Sequence, residues 1–333
     1  NTATGMEHFA SQARKAEWQR TLTFDDDLRL LAGIEYLEEK GQQNLDYGFG
    51  GIAIRDTLHT TSGLLQMRKA VSDKLMLDLG LRVDDSRAWG TEATWRVVAN
   101  HRLGVAPRLK GSVGTGFCAP NVYYLAYAQD RYTLQPEESV GSDVGIERQL
   151  IEGLATLSVT CFHNDIDNLF GWNAAYKVVN VNEAKTNGVE TSLALMPDDD
   201  WRLLLDWTHL QSEDRSTGKR LDFRPEDRFA ARLFWTPSGK KHQVFIGMRH
   251  RSVFYNAYVD SATWITYNNA ERNPSPSGVT WEGAVRYQIS DAASIFLRAE
   301  DLFNQELEEM RDYNGNPYVA SGRTFRAGLN WTF

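Results

Sequence analysis

Thr324-Phe325-Arg326-Ala327-Gly328-Leu329-Asn330-Trp331-Thr332-Phe333 is the stretch on which the reading of the fold turns. Its odd positions (Phe325, Ala327, Leu329, Trp331, Phe333) are apolar, and its even positions are polar or tiny. A period of two marks a strand with one apolar face. Soluble strands alternate in the same way. This one runs to an aromatic residue with no polar tail, as the closing strand of a membrane barrel does when its apolar face meets lipid.

Upstream, alternating segments come in pairs around short turns. Trp18 to Phe24 and Leu28 to Tyr36 flank the acidic turn Asp25-Asp26-Asp27. His59 to Val71 and Lys74 to Val83 flank Ser72-Asp73. Thr91 to Arg102 and Pro107 to Thr115 flank Gly104-Val105-Ala106. Ser139 to Gln149 and Leu154 to Phe162 flank Ile151-Glu152-Gly153. Gly188 to Leu195 and Trp201 to His209 flank Pro197-Asp198-Asp199-Asp200. Arg228 to Trp235 and His242 to Arg249 flank Pro237-Ser238-Gly239-Lys240. Val279 to Ile289 and Ser294 to Glu300 flank Ser290-Asp291-Ala292. With the terminal stretch these make about fifteen strands. The connections between pairs are longer: Glu38 to Asp56, Asp84 to Gly90, Gly116 to Glu138, His163 to Thr186, Gln211 to Glu226, Arg251 to Gly278 and Leu302 to Gly322. Short and long connections alternate strictly, which gathers the turns at one end of an antiparallel wall and the long loops at the other. That is the pattern of an all-β transmembrane antiparallel barrel of the outer-membrane type. Sandwiches and propellers have no reason to segregate loop lengths so strictly.

The faces agree. In Val279 to Ile289 the apolar set is Val279, Trp281, Val285, Tyr287 and Ile289, and the other face carries Glu282, Arg286 and Gln288. In the segment from Arg228, Phe229, Ala231, Leu233 and Trp235 oppose Arg228 and Arg232. Such charges suit a wet or plugged lumen and would be costly in the dry centre of a sandwich. Trp18, Tyr36, Trp207, Trp235, Tyr287 and Trp331 near strand ends fit aromatic girdles. Single-chain bacterial barrels have even strand counts. The odd count therefore implies either N-terminal strands outside these residues or one strand unread in residues 1 to 16. Without them the terminal strand is an edge with an unpaired ladder, prone to aggregation.

Composition narrows the function. The 333 residues are enough for one large barrel, and 10 Trp, 13 Tyr and 15 Phe supply the aromatics. A net charge of −8 with no basic stripe argues against a nucleic-acid partner. No apolar run approaches the roughly 18 residues of a membrane helix. The mean hydropathy of −0.46 is compatible with a barrel, whose strands show lipid only alternate residues. The opening Asn1-Thr2-Ala3-Thr4 has neither a Met nor an apolar leader, so the chain reads as mature, trimmed or a fragment. Cys118 and Cys161 lie in no CxxC pair, and the seven His are scattered, so no metal site or cofactor is expected. The topology puts one strand between the two cysteines, about 10 Å at the usual strand spacing, too far for a disulfide. The Asp25 and Asp198 runs raise calcium, but they lack EF-hand spacing and read as solvated turns. No nucleophile elbow or placed Ser-His-Asp set appears, so the chain is not read as an enzyme.

Five stretches resemble one family, the TonB-dependent outer-membrane receptors of Gram-negative bacteria. Gly114-Thr115-Gly116-Phe117-Cys118-Ala119-Pro120-Asn121 is similar to the family's G-x-G-F-R-A-P-N, with Cys118 in place of Arg. Leu134-Gln135-Pro136-Glu137-Glu138-Ser139 with Gly145-Ile146-Glu147 resembles L-x-P-E-x-S…G-x-E. Phe162-His163-Asn164-Asp165-Ile166-Asp167-Asn168-Leu169 resembles F-x-x-x-I-x-N-L. Val179-Asn180-Val181-Asn182-Glu183-Ala184 with Gly188-Val189-Glu190 resembles N-x-x-x-A-x-x-x-G-V-E. Asp301-Leu302-Phe303-Asn304 with Gly322-Arg323-Thr324-Phe325 resembles the closing N-L-F-N…G-R-x-F.

The resemblance, nearest to the cobalamin and siderophore branch, implies that residues 1–333 are the C-terminal portion of a barrel that has 22 strands in this family, with no plug domain in this stretch. It implies TonB-dependent uptake of a scarce metal chelate such as a siderophore or cobalamin, with the TonB complex acting through a plug. Phe325, Leu329, Trp331 and Phe333 resemble the signal read by the barrel-assembly machinery. Outer-membrane lipid is the remaining expected partner. Aromatic residues of the long loops are the candidate ligand contacts: Tyr123, Tyr124, Trp172, Tyr176, Tyr255, Tyr258, Trp264 and Tyr267, since flat ligands are gripped by such rings at low entropic cost. Loop-on-loop packing is the competing role for each. A plugless passive porin is the alternative function.

Overall fold

The computed structural model describes residues 6–25, 27–46, 51–104, 107–173, 177–239, 241–259, 266–267, 273–312 and 315–332. Among them fifteen long strands follow sequence order as hydrogen-bonded neighbours. They are β1 (Met6–Asp25), β2 (Leu28–Asp46), β3 (Gly51–Ser72), β4 (Leu75–Ser86), β5 (Gly90–Arg102), β6 (Arg108–Cys118), β7 (Glu137–Ile151), β8 (Ala155–Trp172), β9 (Val178–Leu195), β10 (Trp201–Asp214), β11 (Asp227–Trp235), β12 (His242–Arg251), β13 (Gly278–Ser290), β14 (Ala293–Glu300) and β15 (Thr324–Trp331). One short helix, α1 (Val122–Tyr127), interrupts them. The strand order does not close on itself; β1 and β15 are its end members. The chain divides into two compact units, one of residues 1–102, 110–143 and 164–185, the other of residues 103–109, 144–163 and 186–333.

In the first unit the antiparallel register aligns Trp18 with Ile34, Ile34 with Gly63, Gly63 with Val83, and Val83 with Ala93. One face is therefore apolar: Trp18, Leu22 and Phe24 in β1, Leu30 and Ile34 in β2, Leu65 and Met67 in β3, Leu79 and Leu81 in β4, Trp95 and Val97 in β5. Within the apolar band its charges are Arg20 and, beside the short turns, Lys69; towards the long loops the same face carries Arg14, Glu38, Lys40, His59 and Asp85. The opposite face is polar and tied together. Lys15 Nζ lies 2.8 Å from Glu35 Oε2. Arg82 Nη2 lies 3.3 Å from Glu35 and 2.8 Å from Asp84. Ser62 Oγ donates to Asp84 Oδ1 at 2.5 Å. Ile34 is 62% exposed while Asp84 is 3% exposed, the reverse of a water-soluble core. That inversion is stable only where the apolar face meets hydrocarbon.

The second unit repeats the arrangement. Register aligns Leu203 with Leu233, Leu233 with Ile246, Val244 with Val285, Val285 with Leu297, and Leu297 with Ala327. On the polar face Arg232 pairs with Asp206 at 2.5 Å. Arg249 pairs with Glu282, whose other oxygen lies 3.0 Å from Arg298 Nη2, and Arg298 Nε reaches Glu300 at 3.2 Å.

The strand count of fifteen and the alternation of turns hold. The boundaries need correction where strands leave the apolar band. Residues 6–15 belong to β1 rather than to an unread separate strand, and most of Glu38 to Asp56 is strand, because β2 and β3 pair from Leu28↔Lys69 to Asp46↔Gly51. Likewise β8 runs on to Trp172 and β9 starts at Val178. Beyond the band the outer face turns polar (Glu38, Lys40 and Gln42 in β2, Thr57 and Arg55 in β3), so the lipid-facing stripe ends while the backbone ladder continues. Gly188 of the G-V-E segment has a close-approach reason: a Cβ there would collide with the His209 carbonyl and lie 2.7 Å from the Phe162 ring. The acidic turns are turn-capping: Asp25 Oδ1 accepts from the Asp27 and Leu28 N–H groups, and Asp198 Oδ1 from those of Asp200 and Trp201. Cys118 and Cys161 are both free thiols.

Leu81→Arg, on the lipid-side face of β4, is expected to destabilise the folded wall by about 2–4 kcal/mol. Gly188→Ala is expected to cost about 1–3 kcal/mol through overpacking against a neighbouring strand. Reversible urea unfolding in lipid vesicles reads both.

Candidate functional site

Each unit folds its long connections into a built cap over the ends of its strands. In the first unit Asn121 starts α1, its Oδ1 accepting from the Tyr124 N–H at 2.8 Å. The helix then drops Leu125 into a small core with Leu58, Leu134 and Val178, each 5% exposed or less. Val122 sits over Gly41 of β2, at 2.9 Å from where a Cβ would stand. Asn180 brackets the next segment: its Oδ1 accepts from the Gln135 N–H at 2.9 Å, and its Nδ2 donates to the carbonyls of Gln135 and Asn168. Arg131 Nη2 reaches Asp56 at 2.7 Å and ties the cap to β3.

The expected aromatic contacts divide by role here. Tyr124 packs on the core, its ring 5.0 Å from Phe170. It acts as a structural anchor. Tyr123 stacks obliquely on Tyr127 at 4.8 Å and lines a cavity of about 230 Å³ with Gly41, Leu58 and Val122. Trp172 ends β8, and its side chain lies outside the described residues, as does all of Tyr176.

In the second unit the connection after β12 is pinned to the connection after β14 by buried amides. Asn256 is 0% and Asn273 1% exposed. Asn256 Nδ2 donates to the Asn273 carbonyl and to Ser275 Oγ, both at 2.9 Å. Its Oδ1 accepts from the Arg311 N–H at 3.0 Å. Asn273 Nδ2 donates to the carbonyls of Ala257 and Asp312. Two short ribbons result: Phe254–Tyr255 pairs with Pro274–Ser275, and Glu308–Arg311 pairs with Pro317–Val319. Below them the polar face opens into a bowl of about 710 Å³. Arg228, Arg249, Arg251 and Arg298 line it, against Asp206, Glu282, Glu300, Asp301 and Glu309. Arg251 stacks on the Phe254 ring at 4.5 Å, and its Nε and Nη2 are buried with no hydrogen-bond partner among the described residues.

Tyr255 is half-buried, and its carbonyl accepts from the Phe223 N–H at 2.8 Å. Tyr258 and Tyr267 are direct backbone partners in a further ribbon. Trp264 lies outside the described residues, as does Phe333. Loop aromatics stand out in the sequence; the arginines and the Asn256–Asn273 pair do not. Asn256, Asn273 and Ser275 stand in irregular loops, where no period marks burial. The arginines were legible only as polar-face positions.

Asn256→Ala should leave buried donors and acceptors without partners at about 1–3 kcal/mol each. Amide exchange at Asn273, Ser275 and Arg311 should then accelerate while β10–β15 stays protected. The pair of Glu308 with Arg311 (2.8 Å) holds the Glu308 carboxyl below its ordinary value, chiefly through the hydrogen bond, against an opposing effect of burial. A depressed carboxylate contributes stability that is complete above its unfolded value, about 4.3, and is lost as pH falls through the folded value. Amide exchange at residues 308–311 and 318–319 should therefore rise only on acidification below the ordinary carboxylate range.

Comparison with known proteins places this architecture. The profile of the family described as TonB dependent receptor-like, beta-barrel, matches residues 3–302. The iron-regulated outer membrane virulence protein of Vibrio cholerae serotype O1 is 25% identical over 312 residues, covering 82% of this chain and 44% of that protein. The vitamin B12 transporter BtuB of Vibrio vulnificus is 23% identical over 341 residues, covering 97% of this chain and 50% of that protein. The chain thus spans about half the length of the curated relatives it matches. The ferripyoverdine receptor of the Pseudomonas aeruginosa outer membrane superposes with a TM-score of 0.76 at 17% identity, over 98% of this chain and 48% of the receptor. With a match that spans most of its length, the chain belongs to the TonB dependent receptor-like β-barrel family.

Proposed function

We propose that this chain forms the C-terminal wall of a receptor for energy-coupled uptake of a scarce metal chelate, of the siderophore or cobalamin kind. The carrying observation is the pair of built caps. Loops pinned by a buried apolar core in one unit and buried asparagines in the other support Tyr123 and a bowl of mixed charge that includes four arginines. Preorganised loops lower the ordering cost of capturing a dilute ligand. Rings offer flat contact area, and guanidinium groups suit the carboxylate, catecholate or phosphate groups of chelates. The wall performs no covalent chemistry in this reading. Tyr255, Tyr258 and Tyr267 are proposed as further contacts, as are Trp172, Tyr176 and Trp264. Coupling to the TonB complex through a plug domain, and recognition of Phe325, Leu329, Trp331 and Phe333 by the assembly machinery, complete the proposal.

Uptake of radiolabelled ferric siderophore and cobalamin in the native outer membrane tests it. One of these substrates should enter at low concentration, and entry should stop when the proton-motive force is collapsed. Entry that continues after collapse, with steady conductance in planar bilayers, would identify a passive channel instead. Tyr123→Ala should weaken ligand binding about fivefold, the equivalent of a ring contact worth about 1 kcal/mol.

A further inference from the structure

One charge on the lipid-side face of the first unit lies deep in the apolar band. Arg20 stands four residues before Phe24 along β1. At about 3.3 Å per residue and a strand tilt near 40°, that is roughly 10 Å into a band about 25 Å tall. Leu22 and Phe24 lie between it and the short turns, and Trp18 lies on its other side. Lys69, by contrast, sits at the turn end of the band, opposite Leu28, where its stem can carry the ammonium to the interface. The lipid-side positions of β12 to β15 hold no Lys, Arg, Asp or Glu, so a charge at this depth is not a general habit of the wall.

Apolar neighbours close three sides of Arg20. Across the sheet its register row runs through Ala32, Leu65, Leu81 and Trp95. The nearest carboxylates along the chain and across the ladder, Glu17 and Glu35, point to the polar face, where Lys15 holds both. Among the described residues none pairs with the exposed Arg20 guanidinium. The fourth side is the free edge of β1. In the sheet β1 is hydrogen-bonded to β2 alone. Among the described residues its other edge therefore presents a row of unpaired N–H and C=O groups, which hydrocarbon cannot satisfy. Two unmet demands thus lie side by side on one strand, a backbone edge and a cation, and a single occupant meets both. A strand hydrogen-bonded to that edge supplies the ladder. A carboxylate on its lipid-side face, about 5 Å from Arg20 as a cross-strand neighbour, supplies the counter-charge. A second copy of this face would bring another Arg20 instead, and like charges repel strongly where the dielectric is low.

We propose that the free edge of β1 docks a membrane-crossing strand that carries an Asp or Glu beside Arg20, forming an ion pair within the hydrocarbon that sets the register of that seam. The test uses the full receptor folded in lipid vesicles. R20L should lower the urea midpoint of unfolding, and R20K should keep most of the parent's midpoint. With R20K, a membrane-soluble carbodiimide should join the introduced amine to one carboxylate on another strand of the same receptor, located by proteolysis and mass spectrometry. Heat-modifiable mobility on gels verifies that each variant is a folded barrel. A midpoint for R20L equal to or above the parent's would show that Arg20 meets lipid alone, and overturns the proposal. So does the absence of a cross-link in folded R20K, or a cross-link to a second copy or to a different protein.

Discussion

Hydrocarbon offers no hydrogen bonds, and the rest of this structure depends on that constraint. Every backbone N–H and C=O of a segment that crosses lipid must find its partner on a neighbouring segment. Nineteen-residue β2 meets the condition on both sides, paired along its whole length with β1 and with β3. Because the ladder rather than a core supplies the obligatory contacts, strand order can follow sequence order, and each turn need only reverse the chain.

Once the backbone is satisfied by neighbours, the side chains sort by face. Leucine, tryptophan and valine go to the side that meets lipid, where exposure costs nothing. The charges go to the other side and are neutralised in chains, such as Lys15 with Glu35, Arg82 and Asp84, or Arg249 with Glu282, Arg298 and Glu300. These networks include well-buried carboxylates, and breaking one would strand a charge. The exposed apolar band and the tied polar face are two consequences of one inversion.

The caps obey ordinary water-soluble rules. Leu125 and Val178 make a small conventional core. Asn256 and Asn273 do by hydrogen bonds what the leucines do by burial, because an irregular loop leaves backbone groups that only side-chain amides can reach. At these two places the connections are packed and hydrogen-bonded rather than loose.

By itself the sequence determined the strand count, the turn ends and the loop ends, and which residue of each strand belongs to which face. A period of two is a local property, and lipid enforces it wherever the strand crosses the band. Tertiary structure alone decided how far the strands run past the band, since β2 and β3 continue there on backbone pairing after the lipid-facing stripe has ended. It alone separated Tyr124, a structural ring against Phe170, from Tyr123, which lines a cavity. It also brought Asn256 to Arg311 across 55 residues, and Glu38 beside Arg14, Lys40 and His59. Those groupings depend on register and on distant loops meeting, which no pattern within one stretch of chain encodes.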